Sequence, residues 1–433
     1  MNIKKRIISI ISETEKGKFS NIALNEYFKA NPLSSKERGF ITEVFYGTIR
    51  NKIFLDTMIN KRVKEIKKDW LRQLLRISIY QITFMDSDEA GVVWEAAELA
   101  KRKFSNPLGK FVNGVLRSYL RDKDKEIEKL RSENKLNILY SYPKWFYKKM
   151  KDEYGEDCEK VLKSLKKIPY LSIRVNTLKY STDEFENLLK RENINIIKKV
   201  DTVYYIDSGI VIYFDEFKEG KIIAQDGASY LAVKSLDPKP GDFVLDTCSA
   251  PGSKTVLIGE LMKNEGKILA LDIHPHKIKL IEGNAKKMGI NIITPVKMDA
   301  TKVKEQGLKF DKILVDAPCS GYGVIRKKPE ALYNKNMDNV HELSELQYNI
   351  LDSASKVLKE DGELIYSTCT ITREENTDNI SKFLENNPDF ESLKVDIPSN
   401  VSGEYDDVNG FLINFKEEIL DNFYIVKLRR KKN

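Results

Sequence analysis

Glycine-rich phosphate loops are missing from this chain of 433 residues. No Gly-x-Gly-x-x-Gly occurs, and Gly252-Ser253-Lys254-Thr255 lacks the upstream glycine of a P-loop, which argues against a nucleoside triphosphate or dinucleotide cradle. Cysteine is scarce: the four residues stand at 158, 248, 319 and 369, none in a Cys-x-x-Cys pair. That spacing suggests neither a disulfide framework nor a zinc site; it suits a reducing cytoplasm, and no metal is expected. Histidine is scarcer still. His274, His276 and His341 read as isolated, with no catalytic role. Long apolar runs are absent too. Ile7-Ile8-Ser9-Ile10-Ile11 follows basic residues, but it is too short for a signal peptide and Glu13 and Glu15 follow at once, so it reads as an amphipathic helix. No stretch approaches a membrane span.

What is present is an ordinary 41% hydrophobic content, enough for real cores, in a chain long enough for two or three domains. The net charge of +8 is unevenly placed: residues 1–140 hold 28 Lys+Arg against 18 Asp+Glu, and the rest hold 45 against 47. A basic excess spread over a whole domain points to a polyanionic partner, most simply RNA.

The chain is organised around Pro240-Gly241-Asp242-Phe243-Val244-Leu245-Asp246-Thr247-Cys248-Ser249-Ala250-Pro251-Gly252-Ser253-Lys254-Thr255. A turn leads into a short apolar run, the pattern of a buried parallel strand, which ends in a carboxylate. A loop of small residues follows, then a helical pattern from Thr255 to Met262. Strand, tight loop and helix form the ligand crevice of a doubly wound sheet. The amides at the helix start suit an anion smaller than a pyrophosphate, such as an amino-acid carboxylate. Three further runs end in acids: Leu269-Ala270-Leu271-Asp272, Val296-Lys297-Met298-Asp299 and Leu314-Val315-Asp316. Asp272 has the spacing of a ribose-binding acid. Four strand-end acids after a crevice loop describe a pocket for an ammonium, a ribose and an amino-bearing base, and S-adenosylmethionine has all three. The expected cofactor-binding set is Cys248, Ser249, Ala250, Pro251, Gly252, Ser253, Lys254, Asp272, Asp299 and Asp316.

Asp246 to Thr255, Asp316-Ala317-Pro318-Cys319-Ser320-Gly321 and Tyr366-Ser367-Thr368-Cys369-Thr370 together resemble the RNA (cytosine-5) methyltransferases, in particular the RsmB/Sun type acting on bacterial small-subunit (16S) ribosomal RNA. The resemblance covers nearly the whole chain. Residues 1 to about 120 read as helical, with apolar helical spacing at Phe40–Arg50, Leu71–Ile82, Val92–Arg102 and Lys110–Leu120. Glu37-Arg38-Gly39-Phe40, Tyr46-Gly47-Thr48-Ile49-Arg50 and Lys110-Phe111-Val112-Asn113-Gly114-Val115-Leu116-Arg117 resemble the NusB-like domain that opens such chains and docks on RNA in that family. Arg121 to Lys135 alternates acid and base and reads as a solvated helix or linker at a domain boundary. Tyr142-Pro143-Lys144-Trp145-Phe146 restarts an apolar pattern. Ser172 to Lys179 reads as an alternating strand that matches the family's small α/β subdomain; Arg174 in it suits RNA or a local carboxylate equally. Asp226 is the expected N-cap of the helix before the core loop. Further on, the expected elements are a helix from His341 to Leu358 stopped by Asp361-Gly362, a strand from Glu363 to Thr368, and a closing hairpin of Phe411–Phe415 with Phe423–Leu428. Family members usually carry Asp-Gly-Phe-Phe after a proline-containing loop near here. This chain has Asp421-Asn422-Phe423-Tyr424 without that proline, and no site residue is carried over from it.

The chemistry sets its own requirement. Carbon 5 of cytosine is a poor nucleophile until a thiolate adds to carbon 6. A free thiol, with a pKa of about 8.5, is only slightly ionised at neutral pH, so a polar pocket must help. Cys319 and Cys369 both sit at strand ends, and neighbouring parallel strands would bring them to one rim. The residues alone leave open which one attacks. The resemblance implies Cys369, with Cys319 assisting release, whereas cytosine-5 DNA methyltransferases attack with the cysteine of Pro-Cys. It also implies that Asp316 can hold the cytosine amino group and Lys254 can stabilise the adduct.

The expected architecture is α/β: a Rossmann-like class I methyltransferase domain at 226–433, preceded by an all-α NusB-like domain at 1–135 and a small α/β RNA-recognition subdomain at 136–225. The expected partner is small-subunit ribosomal RNA, and a monomer that uses neither membrane nor metal is expected. The alternatives are the same chemistry on another RNA, or a non-catalytic RNA-binding or ribosome-assembly factor that keeps the fold. The presence of both cysteines argues against the latter.

Overall fold

The computed structural model describes residues 2–334 and 336–432. Packing divides the chain into two compact units, one of Met1–Lys166 with Ile325–Asn336, the other of Lys167–Val324 with Met337–Asn433.

The first unit is helical. Asp69–Phe84 buries Leu71, Leu74, Leu75, Ile79 and Ile82, the i, i+3, i+4 stripe of a core helix. Ser35–Arg50 packs beside it and opens with a capping box: Ser34 Oγ accepts from the Glu37 amide at 3.3 Å, and Glu37 accepts from the Ser34 amide at 3.1 Å. Gly47 in that helix lets Tyr80 lie against its backbone, since a Cβ there would fall 1.9 Å from the Tyr80 ring. Asn106–Ser132 runs unbroken through the charge-alternating stretch, held by Leu130 inside and by Arg62, which donates to Glu126 at 3.1 Å. Part of the basic excess is structural. Lys4 is buried against Glu95, and Arg76 joins Asp56 at 2.6 Å and Glu15 at 3.0 Å.

The second unit holds two sheets. Strands β1 (Leu171–Val175), β2 (Ile196–Val200), β3 (Val203–Ile206) and β4 (Ile222–Ala224) pair antiparallel in the order β2-β3-β1-β4. β1 is shorter than the alternation in the sequence predicts. Asn176 leaves the strand, its side-chain amide donating at 2.9 Å to both the Gly220 and Met288 carbonyls, and a turn follows. Arg174 is fully buried. Its Nε donates to Gln225 at 2.5 Å and its guanidinium pairs with Glu260, so the carboxylate reading holds and the RNA reading does not.

The large sheet contains β5 (Phe243–Asp246), β6 (Lys267–Asp272), β7 (Ile293–Lys297), β8 (Phe310–Asp316), β9 (Leu358–Thr368), β10 (Phe390–Leu393), β11 (Glu404–Tyr405), β12 (Phe411–Ile413) and β13 (Phe423–Arg430). Its order is β11-β12-β13-β9-β8-β5-β6-β7, with β10 on β13. β7, β6, β5, β8 and β9 are parallel. β5 lies between β6 and β8, so the order reverses at its carboxyl end, where a crevice must open. The helix expected at 341–358 is Met337–Ser355, and β9 begins at Leu358. The pairing of Phe310 with Leu358 and then Lys312 with Glu363 accommodates Asp361-Gly362 as a bulge inside the strand, with Asp361 at φ 62°, so these residues do not stop the helix. β12 and β13 form the closing antiparallel pair.

Candidate active site

The crevice loop is pinned from both neighbouring strands. The Thr247 amide donates to the Leu314 carbonyl at 3.0 Å and the Ser249 amide to the Leu271 carbonyl at 2.8 Å. Thr255 Oγ1 donates to Asp246 Oδ2 at 2.7 Å. Gly252 starts the helix Ser253–Leu261 at φ 108°, a conformation that favours glycine, and a Cβ there would come within 3.2 Å of the Ile281 backbone. Asp246, Cys248, Ser249, Ala250, Pro251, Ser253, Lys254 and Asp316 bound a small cleft of about 20 Å3.

The strand-end acids differ in use. Asp272 ends β6 and caps its own turn, accepting from the His274 amide at 2.9 Å. Asp299 lies two residues beyond β7 and caps a 3-10 turn through the Thr301 amide at 3.0 Å and hydroxyl at 2.7 Å. Asp316 ends β8 and accepts from Lys254 Nζ at 2.6 Å and Ser367 Oγ at 2.9 Å. Asp246 Oδ1 is buried with no hydrogen-bond partner among the described residues. An orphaned acceptor at a crevice mouth is what a ligand ammonium or hydroxyl would satisfy. Two of the three histidines are less isolated than expected: the His274 and His276 rings lie 5.6 Å apart. No group of His, Cys, Asp and Glu able to hold a metal occurs among the described residues, and no described helix is long and apolar enough to cross a membrane.

Burial pushes the Asp246 carboxyl up to about 6, against the hydrogen bond from Thr255. Between about 4 and about 6 the folded protein therefore keeps a proton that the unfolded chain has lost. Unfolding releases that proton, so this group's contribution to stability falls as pH rises through the window and stays low above it. Relative to wild type, Asp246→Asn is expected to gain melting temperature as pH rises from about 4 to about 7. A difference that does not change with pH would show that this carboxyl titrates normally.

Two thiols share the rim. Asp316 pairs with Ser367 in the β8–β9 register, and three residues past Asp316 and two past Ser367 the Cys319 and Cys369 sulfurs lie 2.8 Å apart. Beneath them is a buried polar network that sequence reasoning missed. Glu375 is fully buried and accepts from the Ser320 amide at 2.7 Å, from Gln347 at 2.9 Å and from Thr372 at 2.7 Å. Gln347 also donates to the Pro318 carbonyl at 2.9 Å, and Ser320 and Thr370 share a 2.7 Å hydrogen bond. The Pro-Cys loop and the loop after Cys369 are thus tied to one carboxylate. Phe423 is a second missed residue: its ring lies 5.6 Å beneath Lys254 Nζ. The one signal for it was its place in the Asp421-Asn422-Phe423-Tyr424 segment, which departs from the family pattern.

The Cys319 thiol is held protonated by its surroundings. The Cys369 sulfur, burial, and the charges of Glu375 and Asp316 all hold the Cys319 thiol well above its ordinary range. Burial works against the Lys254 ammonium, yet Asp316 and Cys369 hold its pKa up. Burial pushes Cys248 up to about 12, which keeps it an inert thiol in the loop. Cys158 is buried at the start of a helix in the other unit.

A reversed parallel sheet with acids and thiols at its carboxyl rim, preceded in the sequence by a NusB-like helical domain and a ferredoxin-like subdomain, has the Rossmann-like architecture of a class I methyltransferase. The family descriptions that match are 16S rRNA methyltransferase RsmB/F over residues 233–429, the NusB family over 1–121, and the RsmF/B-like ferredoxin-like domain over 142–212. The chain is 37% identical over 431 residues to a probable ribosomal RNA small subunit methyltransferase B of Bacillus subtilis, covering 95% of each. It is 30% identical to ribosomal RNA small subunit methyltransferase B of Shewanella oneidensis, covering 97% of each. It superposes on the crystal structure of PH0851 with a TM-score of 0.82 at 30% identity, covering 99% of each chain. The chain belongs to the ribosomal RNA small subunit methyltransferase B family.

Proposed function

We propose that this chain forms 5-methylcytosine in small-subunit (16S) ribosomal RNA, using S-adenosylmethionine and a covalent adduct between Cys369 and cytosine carbon 6. The observation that carries this reading is the pair of thiols 2.8 Å apart beside Lys254 and Asp316. A reaction that must both add and expel a thiol at one base has use for two sulfurs, one to attack and one to take up a proton.

When bound, S-adenosylmethionine supplies the electrophilic methyl group. The residues that suit it are the loop Cys248 to Lys254, Asp246 with its orphaned oxygen, and the acids Asp272, Asp299 and Asp316. Cys369 adds to carbon 6, and the Lys254 ammonium favours negative charge at that sulfur and then on the base. Asp316 accepts from the cytosine amino group, a contact uracil lacks. Once Cys369 is a neutral thioether, the largest influence raising the Cys319 pKa is gone. Cys319 then ionises more readily, and its thiolate takes the carbon 5 proton once the methyl group is in place, after which Cys369 leaves and aromaticity returns. The same reading gives the NusB-like unit and the small subdomain the work of holding RNA, and places the protein in the cytoplasm.

Bisulfite sequencing of ribosomal RNA from a strain lacking the gene tests this. One cytosine of the small-subunit RNA should lose protection and regain it with the wild-type gene, but not with Cys369→Ala. Full protection in the deletion strain would overturn the reading.

A further inference from the structure

The helix Lys144–Tyr154 presents two contrasting faces. Inward, Tyr142 just before it stacks on Phe146 at 5.3 Å, Met150 is buried one turn on, and Tyr142 donates to the Leu162 carbonyl at 2.9 Å. The helix is therefore firmly seated. Outward, Lys144, Trp145, Tyr147, Lys148 and Lys151 line a shallow, almost wholly apolar depression of about 620 Å3. Positions 144, 147, 148 and 151 follow the i, i+3, i+4, i+7 spacing of one face, with Trp145 three residues before Lys148. The lysines of this helix divide by face. Lys149, turned away from it, pairs with Glu153 at 2.6 Å. Lys144, Lys148 and Lys151 have no carboxylate within ion-pair distance among the described residues, and Asp152 makes no pair with Lys148. Three uncompensated lysines around two half-buried aromatic rings are poorly explained as a solvated face, because charge and flat apolar surface are offered together.

We propose that this face is a stacking platform for single-stranded RNA, with Trp145 and Tyr147 taking base faces and Lys144, Lys148 and Lys151 taking the phosphates between them. The complementarity is of two kinds at once. The lysines match a polyanion, and the exposed ring area matches a partner with flat apolar faces at the spacing of its charges, which single-stranded nucleic acid has and an acidic peptide lacks. The platform rests on the reading of the substrate as RNA. It adds where an unpaired stretch of that RNA lies, on a helix distant in sequence from both catalytic cysteines.

The test uses the full chain and an oligoadenylate of about 12 nucleotides, within the range such sites take. Binding should quench tryptophan fluorescence in the wild type, and Trp145→Phe, which keeps a ring in place, should lose that part of the quench. The triple variant Lys144→Gln, Lys148→Gln, Lys151→Gln changes only exposed side chains. It should bind about tenfold more weakly and lower the slope of log affinity against log salt by about 2, at roughly 0.7 per phosphate contact on a single strand. Poly-glutamate of equal charge should leave Trp145 unquenched. Equal quenching by poly-glutamate would overturn the platform in favour of a site for an acidic protein segment. An unchanged salt slope in the triple variant, with wild-type RNA binding and methyl transfer intact, would overturn the platform alone. A wild type that neither binds nor methylates RNA would overturn the functional reading as well.

Discussion

Cys369→Ala is expected to abolish methyl transfer, by at least about 10^4-fold, and to leave no protein–RNA band on a denaturing gel. Cys319→Ala is expected to do the opposite on the gel: attack and methyl transfer proceed, release is slow, and a covalent complex accumulates. Before attack, the Cys319 thiol is held protonated by the Cys369 sulfur first, then by burial and by Glu375 and Asp316, while Cys369 helps to hold the Lys254 pKa up. Attack consumes one sulfur and relaxes the other. With Cys369 as the proposed nucleophile, its removal ends attack, and removal of Cys319 leaves a formed adduct without a nearby base. Both variants are run with RNA and S-adenosylmethionine on one gel. A stable adduct in Cys369→Ala, with none in Cys319→Ala, would exchange the roles and align the chemistry with that of DNA methyltransferases.

The crevice and the parallel sheet were legible because β5, β6, β7 and β8 are short runs with an acid at or just past their ends. Such a pattern has few other solutions. The meeting of the thiols was legible for the same reason: adjacent parallel strands put their carboxyl ends on one rim. Glu375 was not legible. It stands in Arg373-Glu374-Glu375-Asn376, which reads as a charged surface turn, and only the return of that turn beneath Ser320 buries it. Asp361-Gly362 misled because a glycine after an acid is a common helix stop, yet here register with β8 turns it into a bulge. Helix Asn106–Ser132 continues through the charge alternation because long-range partners such as Arg62 anchor it, and the local sequence does not contain them. What the sequence hides throughout is pairing between charges far apart in the chain.

Arg174 gives the strongest such case, and Arg174→Met is expected to destabilise the second unit by about 3–5 kcal/mol, a loss of roughly 10 °C in melting temperature for a unit of this size. The guanidinium and Glu260 are both buried, and Glu260 also accepts from the Thr177 amide and hydroxyl at 2.9 Å each. Methionine fills the volume but leaves a carboxylate in the interior without its cation, and leaves Gln225 without its donor. Desolvating a charge pair costs nearly as much as the pair returns, so the penalty comes from breaking it on one side. The double variant Arg174→Met, Glu260→Leu should accordingly recover part of the loss, the rest being the Thr177 donors and Gln225 left without their partners. The pair also joins β1 to the helix Ser253–Leu261, which begins at the crevice loop and carries Lys254 in its first turn. The single variant should therefore weaken S-adenosylmethionine binding, measured by calorimetry well below its melting temperature, although Arg174 lies away from the cleft. A shift under about 2 °C, or a double variant no more stable than the single, would show that the buried charges are not energetically joined.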